Sequence, residues 1–285
     1  MHLRIIAVPY DTAVRDWRMG AGPDRLLDCG LEDHLRAAGH RVAIERIELP
    51  PDEPTSEIST AFELAARVCD RVRAACSAGE LPIVLAGNCG TALGTLAALA
   101  DAEPGVVWLD AHGDLNTPET TASGFLDGMA LATATGRCWT RLASTILGFH
   151  PVPDDRVVLI GARDLDEGET EVIGASAITH LEPNRVDDTL SSALDTLRQR
   201  TPTVYLHIDL DVLDPFVARA NSYAAEGGLS LAQSEAVVHA VRTRFEVGAI
   251  ALTAYDPSCD PEGRVPRAAF ALLDVATRNS FSLSS

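Results

Sequence analysis

Read for the spacing of apolar and polar positions, the chain alternates between two periods from end to end. Short runs rich in β-branched residues occupy Leu3–Val8, Arg41–Ile47, Ile83–Ala86, Val106–Asp110, Val157–Ile160, Ala177–Thr179, Val204–Asp209 and Ala249–Thr253. Between them, apolar residues recur at helical spacing over Asp24–Ala38, Glu57–Ala78, Thr91–Ala100, Asp188–Gln199, Leu231–Phe245 and Pro266–Ala276. A period of two sends side chains to opposite faces of a strand, whereas a period near 3.6 gives a helix one apolar stripe. Strands alternating with helices predict a mostly parallel sheet of about eight strands covered on both faces, a three-layer αβα sandwich. Runs such as Ile83-Val84-Leu85 and Val157-Val158-Leu159-Ile160 are apolar on both faces, as strands held between two helical layers must be. No repeat or low-complexity tract breaks the alternation. The acidic stretch Leu49-Pro50-Pro51-Asp52-Glu53-Pro54 reads as a solvated loop, so residues 1–285 are expected to form one α/β domain.

Charge and composition narrow the function classes. A formal net charge of −18 excludes nucleic acid and anionic membrane as partners, since both require basic patches. No apolar run reaches the roughly 18–20 residues of a membrane span. Met1-His2-Leu3-Arg4 leads into an apolar stretch too short for a signal peptide, so a cytoplasmic location is expected. All basic side chains other than histidine are arginine. Without lysine there is no Schiff-base chemistry and no P-loop phosphate lysine. Six cysteines are scattered with no CxxC pair, which argues for buried thiols rather than a disulfide framework.

The candidate chemistry lies at two strand ends. Asp110, His112 and Asp114 follow one another at i, i+2 and i+4 after the Val106 run; in extended backbone their side chains point to one side. Two carboxylates and an imidazole converging there form a divalent-cation site, although an aspartate-rich capping loop would look similar. The Val204 run ends in Asp209 and Asp211, again on a shared face. Packing these acids together without a counter-charge would cost several kcal/mol, roughly, in desolvation and repulsion. Asp214-Pro215 reads as a structural turn.

Taken together, Leu109-Asp110-Ala111-His112-Gly113-Asp114-Leu115-Asn116-Thr117-Pro118 and His207-Ile208-Asp209-Leu210-Asp211-Val212-Leu213-Asp214-Pro215 resemble the two metal signatures of the arginase (ureohydrolase) superfamily. Gly20-Ala21-Gly22-Pro23, Gly161-Ala162-Arg163-Asp164-Leu165-Asp166 and Gly227-Gly228-Leu229 follow in the same order, so the resemblance spans nearly the whole chain. It implies two divalent metal ions, normally Mn²⁺, bridged by a hydroxide that attacks the trigonal carbon of a guanidino or amidino substrate. It also implies a homo-oligomer, a trimer or hexamer. By the same resemblance, Asp110, His112, Asp114, Asp209 and Asp211 are metal ligands, and Asp114 also orients the nucleophile. Asn116, Thr121 and Ser123 match positions that grip a substrate α-carboxylate, and Asp166 one that reaches the α-amino group. Each is also an ordinary turn former.

Three positions depart from that pattern. Cys89, in Ala86-Gly87-Asn88-Cys89-Gly90, stands where the family has its sixth ligand, a histidine. A thiolate can bind metal and would move the preference from Mn²⁺ toward Zn²⁺, Fe²⁺ or Ni²⁺. Asn88 and His207 are expected just behind the ligands, with His207 open to being a substitute ligand or a core histidine. Asp127 stands where arginases place a proton-shuttling histidine; it would either shuttle protons with a raised pKa or cap a helix over Gly128–Thr135. Ala254 replaces the glutamate that receives the guanidinium. Losing that partner removes about 1.5–3 kcal/mol of charge-assisted hydrogen bonding. The expected substrate is thus a guanidino or amidino amino acid less basic than arginine, with an N-hydroxyguanidino or formimino head-group. The alternatives are a guanidino-acid or agmatine hydrolase and a degraded homologue that only binds metal and ligand.

Overall fold

The computed structural model describes residues 1–50 and 56–278. Strand β1 (His2–Val8) is followed by a small hairpin of β2 (Tyr10–Asp11) and β3 (Val14–Arg15), helices α1 (Gly22–Asp28) and α2 (Leu31–Ala37), and β4 (Arg41–Arg46). Next come α3 (Glu57–Ser77), β5 (Leu81–Ala86), α4 (Ala92–Ala98), β6 (Gly105–Leu109), α5 (Ala130–Ala134), α6 (Thr140–Ala143), β7 (Val157–Ile160), α7 (Glu167–Ala175) and β8 (Thr179–Leu181). The chain closes with α8 (Val186–Arg198), β9 (Thr203–Asp209), α9 (Leu231–Arg244), β10 (Glu246–Thr253) and α10 (Arg264–Thr277). Of the proline-bearing stretch read as a loop, residues 51–54 lie outside the described residues.

Eight strands form one sheet in the order β4-β1-β5-β10-β9-β6-β7-β8, and every pairing in it is parallel. The strand periodicity divides the core in two. Ile5, Ile83, Leu206 and Ile208 pack beneath α1, α2, α8, α9 and α10; Ile6, Val84, Trp108 and Tyr205 pack beneath α3, α4 and α5. The three-layer sandwich follows, because a strand buried on both faces needs helices on both.

Two of the expected elements differ from the pattern reading, and α7 was not expected. The helix expected over Asp24–Ala38 is two helices, because Gly30 takes φ 92° and breaks the hydrogen-bond ladder. Leu26, Leu31 and Leu35 are nevertheless all buried, so the apolar stripe survives the break. The strand expected at Ala177–Thr179 lies at Thr179–Leu181. Helix α7 begins at a capping box in which Asp166 and Glu169 bond reciprocally to each other's backbone.

Candidate metal centre

The strands β5, β10, β9 and β6 are consecutive in the sheet, and the loops leaving their carboxyl ends border a cavity of about 780 Å³. Such crevices are where open α/β sheets bind ligands. Among the described residues, the cavity wall carries eight carboxyls (Glu57, Asp114, Asp127, Asp164, Asp166, Glu169, Asp209 and Asp211) and no arginine.

The expectation that Asp110, His112 and Asp114 project from extended backbone is corrected. Strand β6 stops at Leu109. The chain then bends, so that Asp110 Oδ1 accepts the His112 backbone N–H at 2.7 Å, and Asp114 sits at φ 51°. Asp209 and Asp211 likewise meet across a single tight turn: Asp209 Oδ1 accepts the Asp211 N–H at 2.9 Å. Convergence comes from local turns closed by the carboxylates themselves, not from strand parity. Ala254, at φ 60°, is a second left-handed residue on the cavity wall. Non-glycine residues in that region cost about 1–3 kcal/mol and tend to cluster at functional sites.

Further contacts lock the two acid loops together. Asp211 Oδ1 accepts the Ala111 N–H at 3.1 Å and its Oδ2 accepts from Asn221 Nδ2 at 3.0 Å. Arg163 donates to the carbonyls of Asp211, Val212 and Leu213 and to those of Ala225 and Glu226 across the loop. Asp214 accepts from the backbone of Phe216, Gly227 and Gly228, the turn role expected of it.

Two groups of ligand atoms result, each within 4.8 Å of one another: Asp110 with His112 and Asp211, and Asp110 with Cys89 and His207. Asp110 belongs to both. Asp209 adjoins the second group, since the Cys89 thiol donates to its Oδ2 at 3.2 Å. Asp114 stands outside both groups but on the cavity wall, and its Oδ2 is buried with no hydrogen-bond partner.

Electrostatics shows that this donor set wants cations. Burial pushes Asp209 and Asp114 well above the usual carboxylate range, and the charges of neighbouring aspartates push them further. Burial also raises the Cys89 thiol well above its ordinary value, with Asp209 adding to it. Asp211 goes the other way: burial raises it, but His112 and hydrogen bonds from its neighbours outweigh burial and leave it low. His112 is raised, because Asp211 and Asp110 overcome the effect of burial. Beside the four buried carboxyls Asp110, Asp114, Asp209 and Asp211, the cationic groups are the His112 imidazole, paired with Asp110 and Asp211, and the Arg163 guanidinium, whose donors go to backbone carbonyls. Divalent cations would supply the missing positive charge and a partner for the orphaned Asp114 oxygen, so the residues present fit a metal pair.

The other expected residues divide into two sets. Asn116, Ser123 and Asp166 border the cavity, whereas Thr121 does not; its hydroxyl accepts the Gly124 N–H at 3.1 Å. Asn116 Nδ2 donates to Asp166 Oδ2 at 2.8 Å. Asp127 borders the cavity and is not a helix cap: α5 starts at Ala130, and the Asp127 carboxylate instead accepts from Gly90 N and Asn88 Nδ2 at 2.9 Å each. Burial pushes Asp127 up to about 7 against those hydrogen bonds. His207 and Asn88 do not border the cavity: His207 is fully buried, and Asn88 donates to Asp11 and Asp127.

Sequence reasoning missed Glu169, Glu57 and Asn221. Glu169 is buried and holds the N–H groups of Leu115 and Asp166, which ties α7 to the first acid loop; its capping-box spacing from Asp166 was the signal available. Glu57 opens α3 and Asn221 sits in the loop after β9, and neither has a local signature.

Comparison with known proteins agrees with the geometry. The Arginase family matches residues 1–277. Arginase from Bacillus caldovelox is 30% identical over 288 residues, covering 95% of this chain and 96% of that one. The N(omega)-hydroxy-L-arginine amidinohydrolase of Streptomyces lavendulae is 31% identical over 247 residues, covering 86% and 85% respectively. The crystal structure of arginase from Bacillus subtilis superposes with a TM-score of 0.89 at 27% identity, over 99% of this chain and 100% of that one. With the two acid loops, the shared Asp110 and the parallel sheet all in place, the chain belongs to the arginase family.

Proposed function

We propose that this protein is a metal-dependent hydrolase that cleaves a C–N bond in an amino acid with a guanidino or amidino head-group less basic than that of arginine. The observation that carries this reading is the pair of donor groups sharing Asp110, of which Cys89, His112 and Asp211 border an acidic cavity whose wall has alanine at position 254. In this reading Cys89, Asp110, His112, Asp114, Asp209 and Asp211 hold two divalent ions. Bound there, the ions supply Lewis acidity and acidify water near neutral pH.

The chain's own side chains do the rest. Asp166 and Glu169 attract the substrate's ammonium group from one side of the cavity, and Asn116 and Ser123 offer polar atoms near it. Asp127, held at about 7, both accepts and returns a proton at the cavity wall. Asn221 bridges Asp211 Oδ2 and the Ala254 carbonyl, which fixes the metal-side carboxylate relative to the head-group wall. Opposite the head-group, Ala254 presents a methyl, so a full guanidinium finds no carboxylate there. The similarity to a protein named for N-hydroxyarginine supports that choice of head-group.

The test loads purified protein with Mn²⁺ or Zn²⁺ and assays urea, hydroxyurea, formamide and ammonia release from arginine, N-hydroxyarginine, formimino amino acids and agmatine. N-hydroxyarginine should be turned over with a higher kcat/KM than arginine. Agmatine as the best substrate would overturn the amino-acid handle. Two bound ions with no turnover of any compound would replace the enzyme reading with a metal-holding binding subunit.

A further inference from the structure

The Cys89 thiol has company. His207 Nε2 lies 3.3 Å from its Sγ and Asp209 Oδ2 lies 3.2 Å from it. Asp110 brings a ligand atom within 4.8 Å of both the sulfur and an imidazole nitrogen of His207. Around a tetrahedral ion with ligands at about 2.0–2.3 Å, neighbouring donors stand roughly 3.3–3.8 Å apart. The separations from sulfur, 3.3 Å and 3.2 Å, lie at and just below the lower bound of that interval, so the donors need spread by only a few tenths of an ångström to hold an ion.

The imidazole is oriented as a ligand would be. Tyr205 Oη lies 2.8 Å from His207 Nδ1, and the ring stacks on Trp108 at 3.6 Å between centroids. A proton on Nδ1 pointing to Tyr205 leaves the Nε2 lone pair facing Cys89. Metal-binding histidines have this arrangement, one nitrogen fixed by a hydrogen bond and the other free for the ion. Strand parity produces it: Leu206 and Ile208 pack in one core layer and Tyr205 in the other, so His207 shares a sheet face with Tyr205 and Trp108.

We propose that His207 is a metal ligand, forming with Cys89, Asp110 and Asp209 a sulfur–nitrogen–oxygen position beside the nitrogen–oxygen position of Asp110, His112 and Asp211. The inference rests on the two-ion reading above and adds that the two positions differ in kind. Thiolate and imidazole select Zn²⁺ or a similar ion at the first, whereas carboxylates with one imidazole suit Mn²⁺ at the second. The competing account is a metal-free hydrogen-bonded cluster, since Thr253 Oγ1 lies 3.2 Å from both Cys89 Sγ and His207 Nε2.

Nuclear magnetic resonance of the full chain, labelled with ¹⁵N-histidine and loaded with ¹¹³Cd²⁺, decides between them. Two histidines should show one-bond coupling to cadmium, His112 and His207. One cadmium signal should carry the downfield shift of a thiolate ligand and lose it in Cys89→Ser. In His207→Gln one coupling should vanish, and affinity at that position should fall by more than the roughly 10- to 100-fold caused by loss of an outer partner. Two bound ions with a single coupled histidine would overturn this inference alone. A wild-type chain that takes up no divalent ion would overturn the two-ion reading and this inference with it. If His207→Gln does not fold, the coupling count in the wild-type protein still decides.

Discussion

The imidazole of His207 lies flat on the indole of Trp108, 9° from parallel, and the two residues are register partners on β9 and β6. The same indole donates from Nε1 to Asp110 Oδ2 at 2.9 Å. Trp108 thus supports both donor groups at once, through a stacked ring and through the carboxylate they share. Trp108→Phe keeps an aromatic face but removes the N–H and leaves a small cavity at a fully buried position. It should weaken divalent-ion binding by about 10- to 100-fold, as removal of an outer partner does, and cost about 1–3 kcal/mol of stability. Titration calorimetry with Zn²⁺ and Mn²⁺ and urea unfolding read the two effects; unchanged ion affinity would show that the indole N–H does not tune Asp110.

Arg163 is half-buried and reaches carbonyls on both sides of the loop between Asp211 and Glu226. Burial lowers its pKa despite the nearby aspartates, yet a guanidinium stays charged under all ordinary conditions. Arg163→Met leaves several acceptors without a donor, and a loss of about 3 kcal/mol is expected, since a buried unpaired acceptor costs roughly 1–3 kcal/mol. Arg163→Lys should recover only part, because an ammonium has fewer donors and no planar fork. Equal unfolding midpoints for wild type and Arg163→Met would refute the clamp.

These relations show what sequence alone could and could not carry. The inner strands could be read from composition, because strands buried on both faces need unbroken apolar runs, whereas the edge strands β4 and β8 are only partly buried and β8 lies two residues beyond its expected place. The break at Gly30 was hidden because Leu27, Leu31 and Leu35 keep a four-residue spacing through it. The metal acids were visible as pairs at strand ends, although the geometry assigned to them was wrong: turns closed by Asp110 and Asp209, rather than extended backbone, bring them together. Contacts such as Cys89 to His207 and Asn88 to Asp127 join segments far apart in the chain, and no local spacing encodes them. Glu57 and Asn221 are of the same kind.

His40 offers a pH test remote from the metal centre. It is buried, with Nδ1 3.2 Å from the N-terminal nitrogen of Met1 and Nε2 3.2 Å from Thr277 Oγ1. Burial lowers its pKa below 6.5 and the N-terminal charge adds to that, while Asp274 pulls weakly the other way. The unfolded chain then binds the proton first. The contribution of His40 is full above the unfolded value and is lost as pH falls through it toward the folded one. Wild type should lose stability on acidification more steeply than His40→Gln, and the difference between their urea midpoints across that interval isolates this residue from the acids common to both. Parallel curves would mean that His40 titrates alike in both states.

Ala254 is the sharpest test of substrate choice. It is 3% exposed, borders the cavity, and already holds the left-handed backbone that any larger residue there must adopt. Ala254→Glu therefore adds a carboxylate without asking for a new backbone conformation, whereas Ala254→Gln adds nearly the same volume without charge. A charge-assisted hydrogen bond to a guanidinium contributes about 1.5–3 kcal/mol, which corresponds to about a 10- to 150-fold change in the kcat/KM ratio of arginine to N-hydroxyarginine. That ratio should rise in Ala254→Glu and stay near the wild-type value in Ala254→Gln. If both variants shift it equally, shape rather than charge sets the preference. If neither does, the head-group does not reach Ala254, and the substrate must lie in the cavity in a different orientation.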